Sequence, residues 1–252
     1  MCPRDTFFLS TQSMYLVILL LLVLLIVILW ARRSAFQTLD AVVVASKYKE
    51  DTEWMKKLKY PYVIYTKNEN EVSKYNIPVN KGNEASVYFK YIIDHYDSLP
   101  SYVFFIHAHE SDWHHKSSMA SKINDMNLDG NYKNLNDTEY QIVVTYKNGI
   151  TIFNGSKKIV EHEHNNYAFV KMEEWYNENM KDYLGPLKYN SIINVDLCCA
   201  QFLVSRETIR KLPLEFYKKQ YDWLMNTDVN NYYSGRFYEW TWGFIFKNTA
   251  VL

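Results

Sequence analysis

The stretch from Val103 to His115 concentrates side chains of the kind that bind metal ions and phosphates. It reads VFFIHAHESDWHH, so an apolar run leads directly into four predicted metal ligands: His107, His109, Asp112 and His114. This pattern predicts a buried strand that delivers side chains to the edge of a sheet, where open α/β sheets bind ligands. Imidazole together with carboxylate favours Mn²⁺ or Zn²⁺ over Mg²⁺. The alternative is a polar loop whose histidines face water, and the sequence leaves both open.

The segments before this cluster predict a parallel sheet. Ala41–Ala45, Tyr62–Tyr65 and Tyr102–Ile106 are β-branched or aromatic runs typical of buried strands. Trp54–Leu58 predicts a short helix, and the apolar spacing over Glu84–Tyr96 is helical. Strands that alternate with helices imply parallel pairing through crossover connections.

The second half of the chain is less regular. Gln141–Tyr146 and Ile150–Phe153 flank Lys-Asn-Gly and predict a β-hairpin, within an insert over residues 140–163. The remaining predicted elements are a strand at Lys157–Val160, a helix at Met172–Tyr183, one or two strands in Ile192–Val204, a helix capped by Ser205 and a helix at Leu214–Met225. The predicted fold class is α/β, with a mostly parallel central sheet, flanking helices and the hairpin insert, preceded by one transmembrane helix.

Residues 14–30 carry no charge and are almost entirely Leu, Ile and Val, which predicts a short membrane-spanning helix. No clear small-x-small cleavage site follows, which favours an uncleaved signal anchor over a cleaved signal peptide. The predicted organisation is therefore a tail (1–13), an anchor in the lipid bilayer (14–31), a stem (32–40) and an α/β body (41–252). A single-pass protein of a secretory-pathway or viral membrane follows from this organisation.

The orientation of the body remains open. Arg32 and Arg33 directly follow the apolar segment and favour a cytosolic body. Glycosylation sequons at Asn136 and Asn154 would instead require the lumen, although such sequons arise by chance in an Asn-rich chain. The formal net charge is +0, so there is no electrostatic case for a nucleic-acid partner.

Five phrases resemble a known family. They are VVVASKYKEDTEW (42–54), VIYTKN (63–68), VNKGNEASVYFKYIIDHYDSLPSYVFFIHAH (79–109), CCAQFLVSRETIRKLPLEFY (198–217) and SGRFYEWTWGFIF (234–246). In order and spacing the chain resembles the domain-of-unknown-function family 3431 over nearly all of residues 41–247. The family's pattern is similar to that of GT-A-type transferases, which use a nucleotide-sugar donor. By position, His107-Ala108-His109 is similar to their metal-binding Asp-x-Asp motif.

The resemblance implies a membrane-anchored, glycosyltransferase-like protein that transfers a sugar to the hydroxyl of a glycan acceptor, with a divalent metal. Lys47 and Asp51 lie in the loop after the first strand, where the nucleotide would bind. Gln201 resembles a position on the acceptor side. A phosphate could bind where Asn80, Gly82 and Glu84 begin the long helix, because helix N-termini bind anions. The alternatives are a solvated loop and an ordinary capped helix.

Glu239 is the predicted general base for the acceptor hydroxyl. Its neighbours Trp240 and Trp242 could stack on a sugar and raise the pKa of Glu239 by excluding water. The alternative is a core glutamate paired with Arg236.

Two departures from the family pattern suggest a weak or degenerate member. Asn83 stands where the family usually has Arg, and Gly243 where it often has His. Two other functions therefore stay open. One is a metal-dependent hydrolase built on His107 and His109, with further ligands from Asp196, Glu239, His162 or His164. The other is a non-catalytic carbohydrate-binding surface protein that uses the aromatic cluster near Trp240.

Overall fold

The computed structural model describes residues 15, 18–26, 40–112, 115, 117–137, 140–145, 149–154, 157–162, 167–186, 192–197 and 200–248. For 140–145, 149–154, 157–162, 167–169 and 192–197 it describes only their place in a helix or strand. The chain divides into two compact units, Met1–Asp40 and Ala41–Leu252.

In the first unit, residues 18–26 are helical and their apolar side chains are exposed. Within the described residues, no helix is both long enough and apolar enough to cross a membrane. The predicted anchor at 14–31 lies partly outside the described residues.

The second unit mixes helices and strands. Its strands are β1 (Ala41–Lys47), β2 (Tyr62–Thr66), β3 (Tyr102–His107), β4 (Tyr132–Asn134), β5 (Tyr140–Thr145), β6 (Gly149–Asn154), β7 (Lys157–His162), β8 (Ile192–Leu197) and β9 (Phe202–Ser205). Its α-helices are α1 (Ala85–His95), α2 (Met119–Asp125), α3 (Tyr167–Asn179), α4 (Lys181–Leu184), α5 (Arg206–Ile209), α6 (Leu214–Asn226), α7 (Asn231–Glu239) and α8 (Trp242–Asn248). Short 3₁₀ helices cover Glu53–Lys57 and Tyr96–Ser98.

The central sheet has the strand order β2-β1-β3-β9-β4. β1 is parallel to both β2 and β3, as the alternation of strands and helices predicts. β9 is antiparallel to both β3 and β4, so the prediction of a mostly parallel sheet is wrong for this half. The physical reason lies in the connection between the strands. A strand parallel to β3 needs a crossover that returns the chain to the end of the sheet where β3 begins, whereas β9 begins at the end where β3 finishes.

Side chains that alternate along the strands build a core on each face of this sheet. On one face, Val44 and Phe105 pack with α1, α6, α7 and α8. On the other face, Val43 and Phe104 pack with Trp54 and α2. The result is a sheet covered on both sides, so ligands can reach it only at its edges and ends.

The predicted hairpin is present and belongs to a second sheet, with the order β7-β6-β5-β8 and antiparallel pairing throughout. The pair of Thr145 with Gly149 closes the hairpin. The insert reaches beyond the predicted limit of residue 163, because β8 pairs with β5 through Val195 and Val143. A central strand needs a partner on each side, and β8 supplies the second one for β5.

Candidate functional site

The carboxyl ends of β1, β2 and β3 meet at one end of the central sheet. Ser46 of β1 lies opposite both Tyr65 of β2 and His107 of β3. The loops after these strands therefore emerge side by side, which is where open α/β sheets bind their ligands.

His107 contacts the residue that begins α1. It shares a sheet face with Phe105, toward α1, and its Nε2 lies 3.7 Å from Oε2 of Glu84. Glu84 immediately precedes α1, as the sequence predicts, and is only 8% exposed. A carboxyl and an imidazole are thus neighbours at the carboxyl end of β3, at a separation longer than a direct hydrogen bond.

Glu84 carries an unusual charge state for a glutamate. Burial raises its pKa to about 8, and the negative charge of Glu239 adds to this effect. The positive charges of Lys67 and Arg236 act in the opposite direction and are too weak to cancel it. At neutral pH the Glu84 carboxyl therefore holds a proton.

Lys67, directly after β2, is a member of the site that the sequence analysis did not identify. Its Nζ donates a hydrogen bond of 2.9 Å to the backbone oxygen of Asn83. Burial lowers its pKa, while the carboxyl groups of Glu84 and Glu50 oppose that shift. The sequence feature that could have identified Lys67 is its position directly after β2, the strand that pairs with β1.

α7 brings two further charged groups to the site. Arg236 lies with Cζ 3.6 Å from the centre of the exposed Tyr232 ring, which restrains its guanidinium. Glu239, the last residue of α7, is half-buried and acts electrostatically on Glu84. The predicted base and the predicted phosphate-binding glutamate therefore interact electrostatically.

The predicted sugar-stacking role of Trp240 and Trp242 is wrong for this fold. They are 2% and 1% exposed and belong to the core. Trp242 stacks on Phe246 with a ring-centre distance of 5.7 Å, and Trp240 packs near Phe237. The aromatic residues of this segment pack in the core beside α1, because large rings contribute most to stability when they are completely buried. The hypothesis of a carbohydrate-binding surface loses the aromatic cluster on which it depended.

The predicted metal ligands lie in two places. His109 Nε2 is 3.6 Å from Oε1 of Glu50 and 3.9 Å from Oδ2 of Asp112. The His107 and His109 rings are 6.4 Å apart and nearly perpendicular. His114 lies outside the described residues. Over the described part of the chain, no three His, Cys, Asp or Glu side chains converge so as to hold a metal ion.

A cleft of about 500 Å³ lies beside His109, between the loops that follow β1 and β3. Half of its lining residues are acidic, and the full lining consists of Glu50, Asp51, Glu53, Trp54, Lys57, His109, Glu110 and Ser111. Such a surface repels a bare diphosphate and suits hydroxyl groups, which carboxylates bind as hydrogen-bond acceptors. Asp51 also accepts a hydrogen bond of 2.9 Å from the Glu53 amide at the start of the 3₁₀ helix.

Two predicted nucleotide-binding positions have structural partners. Nζ of Lys47 lies 2.7 Å from Oε1 of Glu71, which neutralises its charge. The amide of Gly82, with φ +73°, donates to Oδ1 of Asn231. Asn80 is half-buried just before this turn.

Gln201 does not line an acceptor site, which corrects the prediction. It is fully buried, and its side chain bonds to the His107 amide, to His115 and to Asn136. Asn136, in the first glycosylation sequon, is only 6% exposed, and its Nδ2 donates to Oδ1 of Asn134. The side chains of Asn154, His162 and Asp196, together with His164, lie outside the described residues.

Comparison with known proteins gives one match, to a family. No curated protein and no solved structure is similar enough to the chain to count as a match. The family described as "Protein of unknown function (DUF3431)" matches residues 42–252, which is the whole α/β unit apart from its first residue. The chain therefore belongs to the DUF3431 family.

Proposed function

We propose that the chain is a glycosyltransferase-like enzyme that transfers a sugar from a nucleotide-sugar donor to a hydroxyl acceptor. The observation that carries the proposal is the contact between His107 and the proton-bearing Glu84 at the carboxyl end of β3, with Lys67 and Arg236 close by. With Glu239 acting on the same carboxyl, this place offers a base for the acceptor hydroxyl and positive charge for the leaving diphosphate, and glycosyl transfer to a hydroxyl needs both.

The position of the site supports the same reaction. In GT-A-type transferases the first strand and its loop hold the nucleotide, and a neighbouring strand ends at the diphosphate. Here β1 and β3 are adjacent and parallel, and the acidic cleft lies between their loops. We infer that the cleft binds ribose or sugar hydroxyls, while the diphosphate lies toward Lys67 and Arg236.

Lys67 and Arg236 supply positive charge beside Asn83, the position where the family usually has arginine. Lys67 binds the backbone oxygen of Asn83, and Gly235, next to Arg236, packs against the Asn83 side chain. Positive charge is therefore available beside position 83 without an arginine there, and the departure at Asn83 does not by itself favour a degenerate protein.

In the proposed step, Glu239 accepts the proton of the acceptor hydroxyl, and the acceptor oxygen bonds to the anomeric carbon of the sugar. The bond from that carbon to the diphosphate oxygen breaks, and the leaving diphosphate takes both electrons of that bond. Lys67 and Arg236 offset its charge. Glu84 keeps its proton at neutral pH and adds no second negative charge. No step is assigned to a metal ion, and binding of Mn²⁺ or Zn²⁺ stays a prediction.

The first test is a thermal-shift titration of the full chain in detergent with Mn²⁺, Zn²⁺ and Mg²⁺, with and without UDP or GDP. A nucleoside diphosphate at a hundred times its Kd stabilises a protein by about 2.7 kcal/mol, which is readily measured. We expect stabilisation by one nucleotide that is lost in His107→Ala and kept in His95→Ala, a histidine on α1 outside the site. Metal binding without a nucleotide effect would favour the hydrolase, and no response to either would contradict both enzymes.

The base is tested with Glu239→Gln. We expect release of nucleoside diphosphate from the sugar donor that the titration identifies to fall by about 10²–10⁴-fold. Glu207→Gln, at an exposed position of α5, is the matched control. Unchanged turnover in Glu239→Gln would remove the assignment.

We further propose that residues 14–31 anchor the enzyme in a membrane, on the basis of their uncharged apolar sequence. The orientation is tested with an added glycosylation sequon after Leu252 in a microsomal translation system. Modification would place the body in the lumen, and protease sensitivity without modification would place it in the cytosol. The buried Asn136 is a poor reporter, and this added site avoids it.

A further inference from the structure

The side chain of Gln201 has three hydrogen-bonding partners in the core. It is fully buried, and it lies one residue before β9 begins. Its Oε1 accepts a hydrogen bond of 3.1 Å from the backbone amide of His107. Its Nε2 lies 3.1 Å from Nδ1 of His115 and 3.0 Å from Oδ1 of Asn136.

The chemistry of these partners fixes the orientation of the amide. The His107 backbone N–H can only donate, so it must face the Gln201 oxygen. Nε2 then donates to both remaining partners. It follows that Nδ1 of His115 is an acceptor and that the ring proton of His115 is on Nε2. Oδ1 of Asn136 is likewise an acceptor, which agrees with the donation of its Nδ2 to Asn134.

The location of this network explains why a side chain is used there. The ladder between β3 and β9 ends at the pair of Phe105 with Phe202. Beyond that pair, β3 continues to His107, whereas β9 begins only at Phe202. The Gln201 side chain therefore takes the place of a strand partner for the end of β3. The same amide ties this strand end to His115 and Asn136, in the segments that follow β3 and β4. A buried polar group that is fully bonded holds its neighbours in one arrangement.

We propose that Gln201 is a positioning residue, which holds the end of β3 so that the His107 imidazole faces Glu84. The proposal rests on the proposed function for its catalytic meaning, since His107 and Glu84 belong to that site. Gln201 itself touches no reacting group. It acts through the His107 backbone on one side and through His115 and Asn136 on the other.

The test compares two buried glutamines in the full chain, studied in detergent with ¹⁵N-labelled histidine. Gln201→Met removes all three hydrogen bonds at nearly constant volume. Gln220→Met is the matched control, because Gln220 is equally buried but binds Asn179 and Tyr238 in the helical layer. We expect faster hydrogen exchange of the His107 amide and shifted His107 ring signals in Gln201→Met alone. Unchanged His107 signals, or equal changes in Gln220→Met, would overturn the proposal.

A second variant keeps the test decisive if Gln201→Met does not fold. Gln201→Glu retains an oxygen for the His107 amide but cannot donate to His115. We expect the His107 amide to stay protected while the His115 ring moves its proton to Nδ1, a change visible in the ¹⁵N shifts of that ring. A His115 ring that keeps its proton on Nε2 in this variant would contradict the network.

These measurements need no nucleotide. A chain that binds no UDP or GDP but shows the expected histidine signals would lose the transferase and keep the positioning contact. A chain that binds nucleotide but shows no change in the His107 signals would lose only the role of Gln201.

Discussion

Glu84 links the chemistry of the site to the stability of the protein. Its pKa is about 8 in the folded chain, against 4.5 for a free glutamate. Between these two values the folded state binds a proton that the unfolded state has released. Because the folded state binds more protons there, the free energy of unfolding falls as the pH rises through this window.

Replacing Glu84 with Gln, which resembles the protonated side chain, should remove this dependence. We expect the Tm of Glu84→Gln minus the Tm of the native chain to become more positive from about pH 5 to about pH 8.5, because only the native chain loses this contribution as the pH rises. Thermal unfolding across that range measures it. A constant difference would mean that Glu84 ionises at its ordinary pKa.

Glu239→Gln provides the companion measurement. Removing the negative charge of Glu239 lowers the pKa of Glu84, because that charge is one cause of the shift. The pH dependence attributable to Glu84 should therefore become weaker but not vanish, since burial is the larger cause. An unaltered dependence would show that the two carboxyl groups do not interact.

At this scale the sequence predicted where several charged side chains lie, but not which side chains they contact. The histidines at the end of β3 and the glutamate before α1 were identified from strand and helix patterns. The interaction between Glu84 and Glu239 could not be predicted, because these two residues are far apart in the sequence. Lys67 was missed because a lysine one residue after a strand has no local feature that separates it from a solvated one.

Among the elements, the turn before α1 places Glu84. Gly82 and Asn83 both have positive φ, at +73° and +49°, a conformation that suits glycine and asparagine. A Cβ on Gly82 would also lie 2.5 Å from Cδ2 of Leu224 in α6. The turn therefore needs glycine both for its backbone conformation and for the close approach of α6.

Gly82→Ala should destabilise the fold by about 1–3 kcal/mol from backbone strain, with a further cost from contact with Leu224. Gly130→Ala is the matched control, since Gly130 has φ +74° but its nearest contact would be at 3.9 Å. Chemical denaturation of both variants separates the two costs. Equal losses would show that Leu224 moves aside freely.

Element prediction worked where local pattern decides and failed where pairing decides. The three parallel strands, α1, the hairpin and the Ser205 cap, which accepts a bond from the Thr208 amide, all match the sequence analysis. The direction of β9 and the membership of β8 in the second sheet did not follow from the sequence. An apolar run such as Ile192–Val204 shows that a strand forms, but not which strand it pairs with or in which direction.

For the whole molecule, a net charge of zero conceals an uneven distribution. The cleft beside His109 is acidic, while Lys67 and Arg236 lie near the buried Glu84. A donor with neutral hydroxyls at one end and a diphosphate at the other matches this division. Composition gives the net charge, but it could not reveal this separation of charge, which depends on the fold.

The division of the chain into Met1–Asp40 and Ala41–Leu252 leads to the last prediction. The α/β unit contains both core clusters, and every residue of those clusters lies at or after Ala41. A fragment of residues 37–252 should therefore unfold with the Tm of the full chain and bind the same nucleotide without detergent.

The full chain should remain with membranes during alkaline extraction, because residues 14–30 carry no charge. A Leu22→Asp variant is the control, since a charge near the middle of the segment costs about 2.5–3.5 kcal/mol of insertion free energy. A fragment that unfolds at a much lower temperature would show that the first unit contributes to the fold, and release of the full chain by alkali would contradict the anchor.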